Sequence, residues 1–443
     1  MKILFIENRY KTRLWEIIAR EFEKNGHEIH FLIQNHSFKP NNGHIHVIPY
    51  PKKDNVKKEY TPEIKKIIES NRGLNYFGIK SDNFIFYYDS IIDDKIGKLQ
   101  PDVVFGESTL FHELLVIKAC KKRNILYLHP STCRYPAGRF SFYKYDTLEP
   151  FGFSNEKFTN EEALKTINAI TERKTLPDYM KVLKHQLSFK DVLKEKLTLS
   201  KAYFSGEKYN TPSPYRKKQI NKNAAKTIEK WESIAVDVNA LNSDEFHTLY
   251  AMQMQPEANI DVWGYPFNNQ TKVIEDIISK LEKNEKLVIK PNPKSKYEIN
   301  DELINVINDN KDKVLILKHS SKMDDLWPFI NLVITVTGTV SLECVFSNKP
   351  IIVLGQGIQT SQSTCFTKLD NYRQIVHLIK NDKYPKLDDK EKIDFLNTIV
   401  ETSFIGVNGD GLHNKTFLLD DENVACLNKA YKAILCFVNT VKC

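Results

Sequence analysis

The chain has 443 residues, 41% hydrophobic and 27% charged, with only 16 Gly and 18 Pro. That length exceeds what one core holds and predicts two or three domains, while the composition excludes disorder as the main state. The net charge of +8 comes from lysines spread along the chain. It fits a solvated surface or attraction to an anionic ligand, polymer or lipid surface. With no zinc-finger pattern and no basic run interleaved with aromatics, nucleic acid is not an expected partner.

Seven cysteines stand apart without C-x-x-C pairs, at 120, 133, 344, 365, 426, 436 and 443. This pattern fits reduced thiols better than disulfides or zinc. The apolar run Ile3 to Ile6 meets Glu7 at once, too short for a signal peptide, and no window approaches the ~18 uncharged apolar residues of a membrane span. The expectation is a cytoplasmic protein.

Taken in order, Lys2 to Ile6 predicts a strand, Arg13 to Lys24 an amphipathic helix stopped by Asn25-Gly26, Glu28 to Ile33 a second strand and Ile45 to Ile48 a third. This β-α-β opening reads as a doubly wound sheet, and the lack of G-x-G-x-x-G gives no support to dinucleotide binding. Residues 51 to 98 are Lys-rich and helical or irregular. Asp102 to Phe105 is a parallel-type strand ending at Gly106-Glu107-Ser108. A helix from Leu110 to Lys122 and a strand from Ile125 to Leu128 follow. His129, just beyond, fits a packed ring or a base. Ser131 to Gly152 reads as a loop carrying Arg134, Arg139, Asp146 and Glu149, with arginines suited to bidentate binding of a carboxylate or phosphate.

Residues 154 to 235 show helical periodicity and no strand pattern. From His247 to Gln255 a new strand starts the same grammar again, with a helix at Lys272 to Leu281 and strands at Leu287 to Ile289, Val314 to Leu317, Leu332 to Val336 and Ile351 to Leu354. Val424 to Val441 closes the chain as a helix. The expected domains are 1–153, Rossmann-like; 154–240, a helical insertion or linker; 241–420, Rossmann-like again; and 421–443, a C-terminal helix.

Three strand ends in the second half carry polar chemistry. Gln255-Pro256-Glu257 follows the first. Lys290-Pro291-Asn292-Pro293-Lys294 follows the next, with lysines as point charges and Asn292 as a donor to phosphate. The third is Thr337-Gly338-Thr339-Val340-Ser341, a turn into a helix whose free N–H groups and dipole favour an anion. Glu343, within that helix, suits a ribose hydroxyl or the helix dipole. Converging in one crevice, these ends would make a phosphate site.

The Lys290-Pro291-Asn292-Pro293 run, Thr337-Gly338-Thr339 through Glu343, and Asn348-Lys349-Pro350 before an apolar strand resemble bacterial capsular and surface-polysaccharide glycosyltransferases, including capsule proteins related to Kdo transferases. The likeness covers mainly 250 to 360, with Gln255 to Ala258 in it, and more loosely 100 to 150 through Arg134 to Phe140. It implies an α/β, GT-B-like fold of two Rossmann-like domains with a cleft between them, the donor nucleotide on the second and the acceptor on the first. The family's histidine position is Asn292 here, which cannot carry a proton.

Under this resemblance the chain is a metal-independent transferase with no cofactor beyond its nucleotide-sugar donor. It would act on an oligosaccharide or lipid-linked glycan, loosely held at the inner membrane face through basic residues. Glu107 is the first choice of carboxylate, with Glu257 and Asp146 as rivals. If the donor is a CMP-ulosonic acid such as CMP-Kdo, Arg134 or Arg139 would meet its carboxylate. A polyol-phosphate transferase, a nucleotide-sugar epimerase and a non-catalytic glycan-binding subunit stand as alternatives.

Overall fold

The computed structural model describes residues 1–9, 11–51, 57–175, 177, 189–205, 207–409 and 420–442. The chain divides into two compact units. The first comprises Met1–Thr166, Arg173–Pro214 and Phe395–Cys443, the second Ile167–Glu172 and Tyr215–Asp394.

The first unit's strands are β1 (Lys2–Ile6), β2 (Glu28–Ile33), β3 (His44–Val47), β4 (Val103–Phe105), β5 (Leu126–Thr132), β6 (Arg139–Lys144) and, from the far end of the chain, β13 (Phe404–Ile405). They pair in the order β13-β6-β5-β4-β1-β2-β3. The segment β1 to β5 is parallel, whereas β6 runs antiparallel to β5 and to β13. Ile3, Leu4, Phe5 and Ile6 are fully buried, as a strand covered on both faces must be. Phe5 stacks on Phe31 and Phe105 of the flanking strands, with ring centroids 5.4 and 5.5 Å away. Leu14, Trp15, Ile18 and Phe22 of helix Thr12–Lys24 close over this face.

The second unit's strands are β7 (Phe246–Ala251), β8 (Glu285–Lys290), β9 (Val314–Ile316), β10 (Leu332–Thr335), β11 (Ile351–Val353) and β12 (Cys365–Phe366). All pair in parallel, in the order β12-β11-β10-β7-β8-β9. Helices Gln270–Lys280, Asp301–Asp309 and Tyr372–Lys380 place Ile274, Leu303 and Tyr372 in a core with Leu287, Ile334 and Ile352. The fold class is thus α/β with two Rossmann-like units, as a GT-B-like chain requires.

Two domain boundaries fall elsewhere than the sequence suggests. Helix Pro214–Ile234, read as insertion, belongs to the second unit: Trp231 is buried in that core and its indole N–H donates to the Leu317 carbonyl at 2.9 Å. Helix Asp421–Lys442, read as a separate closing element, packs into the first unit's core through Leu427, Tyr431, Ile434 and Val438. The expected loop 131–152 is also different, since residues 139–144 form β6. No described helix is long and apolar enough to cross a membrane. Cys443 lies outside the described residues.

Candidate functional site

In the second sheet, strand order moves outward from β7 to β8 and β9 on one side, and from β10 to β11 and β12 on the other. The switch point therefore lies between β7 and β10, and the crevice beyond their carboxyl ends is where open α/β sheets take ligands. Two residues past each strand, Gln253 and Thr337 meet across this point. The Gln253 amide nitrogen donates to Thr337 Oγ1 and its carbonyl oxygen accepts the Thr337 N–H, both at 2.8 Å. Thr337 Oγ1 in turn donates to the Asn259 carbonyl at 2.6 Å. On the other flank the Met252 N–H donates to the Lys290 carbonyl at 3.0 Å. The three polar strand ends expected to converge do lie together, at one edge of one sheet.

Lys290, the last residue of β8, is the charge at this edge. It is only 8% exposed, and burial lowers its pKa from the ordinary 10.5. Its Nζ reaches the Pro291 carbonyl at 3.4 Å, a long contact, and among the described residues no carboxylate pairs with it. A buried ammonium without a counter-ion is costly, and an anionic ligand would remove that cost. Beside it Asn292 uses its carboxamide oxygen to accept the Lys294 N–H at 2.8 Å, leaving its NH2 group without a hydrogen bond among the described residues. Lys294 is exposed.

The turn at 337–341 differs from a simple anion cradle. The Thr337 N–H is held by Gln253, the Gly338 N–H donates to Thr335 Oγ1 at 3.1 Å, and the Ser341 hydroxyl donates to the Gly338 carbonyl at 2.8 Å. Ser341 is buried. Glycine at 338 makes room for a neighbour inside the turn: a Cβ there would stand 2.5 Å from Thr335 Oγ1. Thr339 precedes helix Val340–Ser347, whose first N–H, that of Val340, has no acceptor among the described residues. Glu343 is half-buried in the first turn of this helix.

Gln255 is an internal strut. Its amide nitrogen donates to Asp261 Oδ1 at 2.8 Å and the Asn268 carbonyl at 2.9 Å, and its N–H donates to Glu298 Oε2 at 3.1 Å. Glu257 is the residue before helix Ala258–Asp261 and accepts from Asn259 Nδ2 at 3.3 Å. Glu298, absent from the sequence reading, is buried and also accepts the N–H groups of Lys296 and Tyr297, both at 3.1 Å, which shapes the loop after Lys290. Its spacing shows nothing, because its partner Gln255 lies 43 residues away.

The first unit has its own switch point, between β1 and β4. Glu107 stands just beyond β4, half-buried, with Oε1 3.2 Å from Lys11 Nζ. Lys11 also donates to the Asn408 carbonyl at 3.0 Å. Beneath them Glu113 is fully buried and accepts from Asn8 Nδ2 and the Leu110 N–H, both at 2.7 Å; burial pushes its pKa up against these bonds. Lys11 and Glu113 were also missed: Lys11 meets Glu107, and Glu113 meets Asn8, 105 residues away, pairings that no local spacing shows.

Of the remaining first-unit candidates, Asp146, Arg139 and His129 are tied into the fold. Asp146 is buried between Lys66 and Lys121, at 2.6 and 2.5 Å; burial raises its pKa, but the two ammoniums prevail and hold it at about 2. An acid so firmly ionised is a poor proton carrier. Arg139 lies in β6 and is filled by Ser403 Oγ, the carbonyls of Val400 and Ser403, and Glu156 at 2.7 Å. Its guanidinium ties β6 to the segment before β13. Arg134 is half-buried before the hairpin turn. His129 is buried, bonded to the Thr147 carbonyl at 2.8 Å, and burial lowers its pKa to about 4.

Residues 159–362 match the family model described as capsule polysaccharide biosynthesis protein. The likeness to that family is confined to this stretch. The matched stretch contains the Gln253–Thr337 clamp, Lys290 and Glu343, while Glu107 and Arg134 precede it. No curated protein matches the chain. Among solved structures, the β-Kdo 2,7-transferase KpsC of Thermosulfurimonas dismutans is similar over 99% of both chains, at 11% identity and a TM-score of 0.37. A glycosyltransferase of Rickettsia africae is similar over 98% of both chains, at 13% identity and a TM-score of 0.30. The UDP-GlcNAc 2-epimerase of Methanocaldococcus jannaschii, solved with UDP-GlcNAc and UDP, is similar over 90% of this chain and 99% of its own, at 16% identity and a TM-score of 0.27.

Proposed function

We propose that the protein is a glycosyltransferase of capsule or surface-polysaccharide synthesis, moving a sugar from a nucleotide-activated donor to a growing glycan in the cytoplasm. The observation that carries this reading is Lys290: a buried cation that no carboxylate among the described residues pairs with, beside the switch point of a Rossmann-like sheet, inside the stretch that matches the capsule-synthesis model. The donor's phosphate would meet Lys290 Nζ, the Asn292 NH2 and the Val340 N–H. As the bond to the sugar breaks, negative charge grows on that phosphate, and a fixed, poorly solvated ammonium stabilises it more than it stabilises the ground state. Glu343 would take a ribose hydroxyl. In the first unit Glu107 would accept the proton of the attacking acceptor hydroxyl, with Lys11 holding its carboxylate in place. A CMP-ulosonic acid such as CMP-Kdo is the donor to test first. The reaction as proposed uses no metal ion.

A thermal-shift screen of CMP, UDP, GDP and CDP tests the reading. A matching nucleotide at a hundredfold excess over its Kd adds roughly 2.7 kcal/mol and raises Tm. Incubation with the corresponding sugar donors should then release nucleotide in an acceptor-dependent way. Product that retains a phosphate linkage would indicate polyol-phosphate transfer, and turnover without acceptor an epimerase. Absence of any nucleotide response would overturn the proposal.

A further inference from the structure

Helix Phe189–Ser205 of the first unit is anchored through the face that carries Ala202. Ala202 is fully buried, and its carbonyl accepts a hydrogen bond from Asn35 Nδ2, at the end of β2, at 2.9 Å. At about 100° per residue, Leu193, Leu197 and Phe204 fall within about 40° of arc on the side opposite Ala202. All three face solvent, and Leu197 and Phe204 are 64% and 73% exposed. Lone exposed apolar residues are ordinary, but three large ones aligned along one helix face are not. Lys196 borders this strip on one side and Lys201 on the other, both exposed, and Lys208 is exposed just beyond the helix end.

We propose that this face docks on a lipid bilayer carrying anionic headgroups. An apolar strip bordered by lysines is the pattern of a helix lying in the membrane interface, with leucine and phenylalanine at the acyl boundary and lysines among the phosphates. Charge selects this occupant over a second copy of the chain. A two-fold self-contact would bring the same lysines together, and like charges at close range disfavour it. The inference is independent of the donor site, which lies in the other unit.

Flotation of the full chain tests it, with vesicles of phosphatidylcholine alone and of phosphatidylcholine with phosphatidylglycerol. Binding is expected to the anionic vesicles and to weaken with salt. The double variant Leu197→Asp/Phe204→Asp should bind at least about tenfold less, and Lys196→Ala about fivefold less. Because these side chains face solvent, the variants should melt as the parent does. Three results would overturn the proposal. The parent could fail to float with anionic vesicles. The double variant could float equally well. Light scattering could show a parent oligomer that Leu197→Asp dissociates, making the face a self-interface.

Discussion

Lys290 sets the sharpest expectation at the residue scale. Its pKa is lowered in the folded chain, so between that value and the ordinary 10.5 the unfolded chain holds more protons. Apo-protein stability from this group therefore rises with pH across that window, and its penalty is full below it. Lys290→Met removes the buried charge: the apo protein should melt at the same or a higher temperature while the nucleotide-induced shift disappears. A variant that melts lower yet keeps the nucleotide shift would refute the role. Asp146 and Glu107 make a contrasting pair. Asp146 has a depressed pKa, so its stabilisation is present above the ordinary 3.8 and is lost as pH falls through about 2. Asp146→Asn should cost about 2 kcal/mol in urea melts at neutral pH, discounted for the partly exposed lysines, with turnover per folded molecule unchanged. Glu107→Gln should retain the nucleotide shift and lose transfer.

Elements explain why much of the fold was legible and part of the site was not. The central parallel strands read correctly because they are apolar on both faces, and their Gly, Pro and Asn stops are local signals. Strand β6 was missed because Pro130 lies within β5, paired opposite Phe142, where a missing N–H normally argues against a strand. The three polar strand ends were visible as loops after apolar runs, but their internal bonding was not. Gln253 and Thr337 are 84 residues apart, and nothing local distinguishes Gln253, a clamp, from Gln255, a buried strut. A glycine in such a turn is expected to let a phosphate approach the backbone, whereas the missing side chain of Gly338 leaves room for the Thr335 hydroxyl. Gly338→Ala should consequently destabilise the second unit by roughly 1–3 kcal/mol, as overpacking does, even without ligand. A substitution neutral for apo stability but harmful to nucleotide affinity would return Gly338 to direct phosphate contact.

On the scale of the whole molecule, the first unit builds its core from distant parts of the chain, whereas the second unit's core lies within one continuous stretch. The first unit takes its closing helix from Asp421–Lys442, more than 200 residues after the last strand of its N-terminal part. Tyr431 is the centre of that return: it is fully buried, with ring centroids 4.7 Å from Phe142, 5.2 Å from Phe105 and 6.2 Å from Phe22. Aromatic neighbours on this scale add to simple area burial, so Tyr431→Ala should cost about 3–5 kcal/mol. Its hydroxyl, by contrast, is buried with no hydrogen-bond partner among the described residues. Tyr431→Phe removes an unsatisfied polar group and should be neutral or stabilising. The second unit's core, around Trp231 and Tyr250, contains none of these residues. Calorimetry at low temperature, where Tyr431→Ala is still folded, should therefore give the parent's nucleotide affinity, with the loss appearing only in the urea midpoint. Lost affinity in that variant would mean that nucleotide binding depends on the first unit as well as on the sheet that holds Lys290.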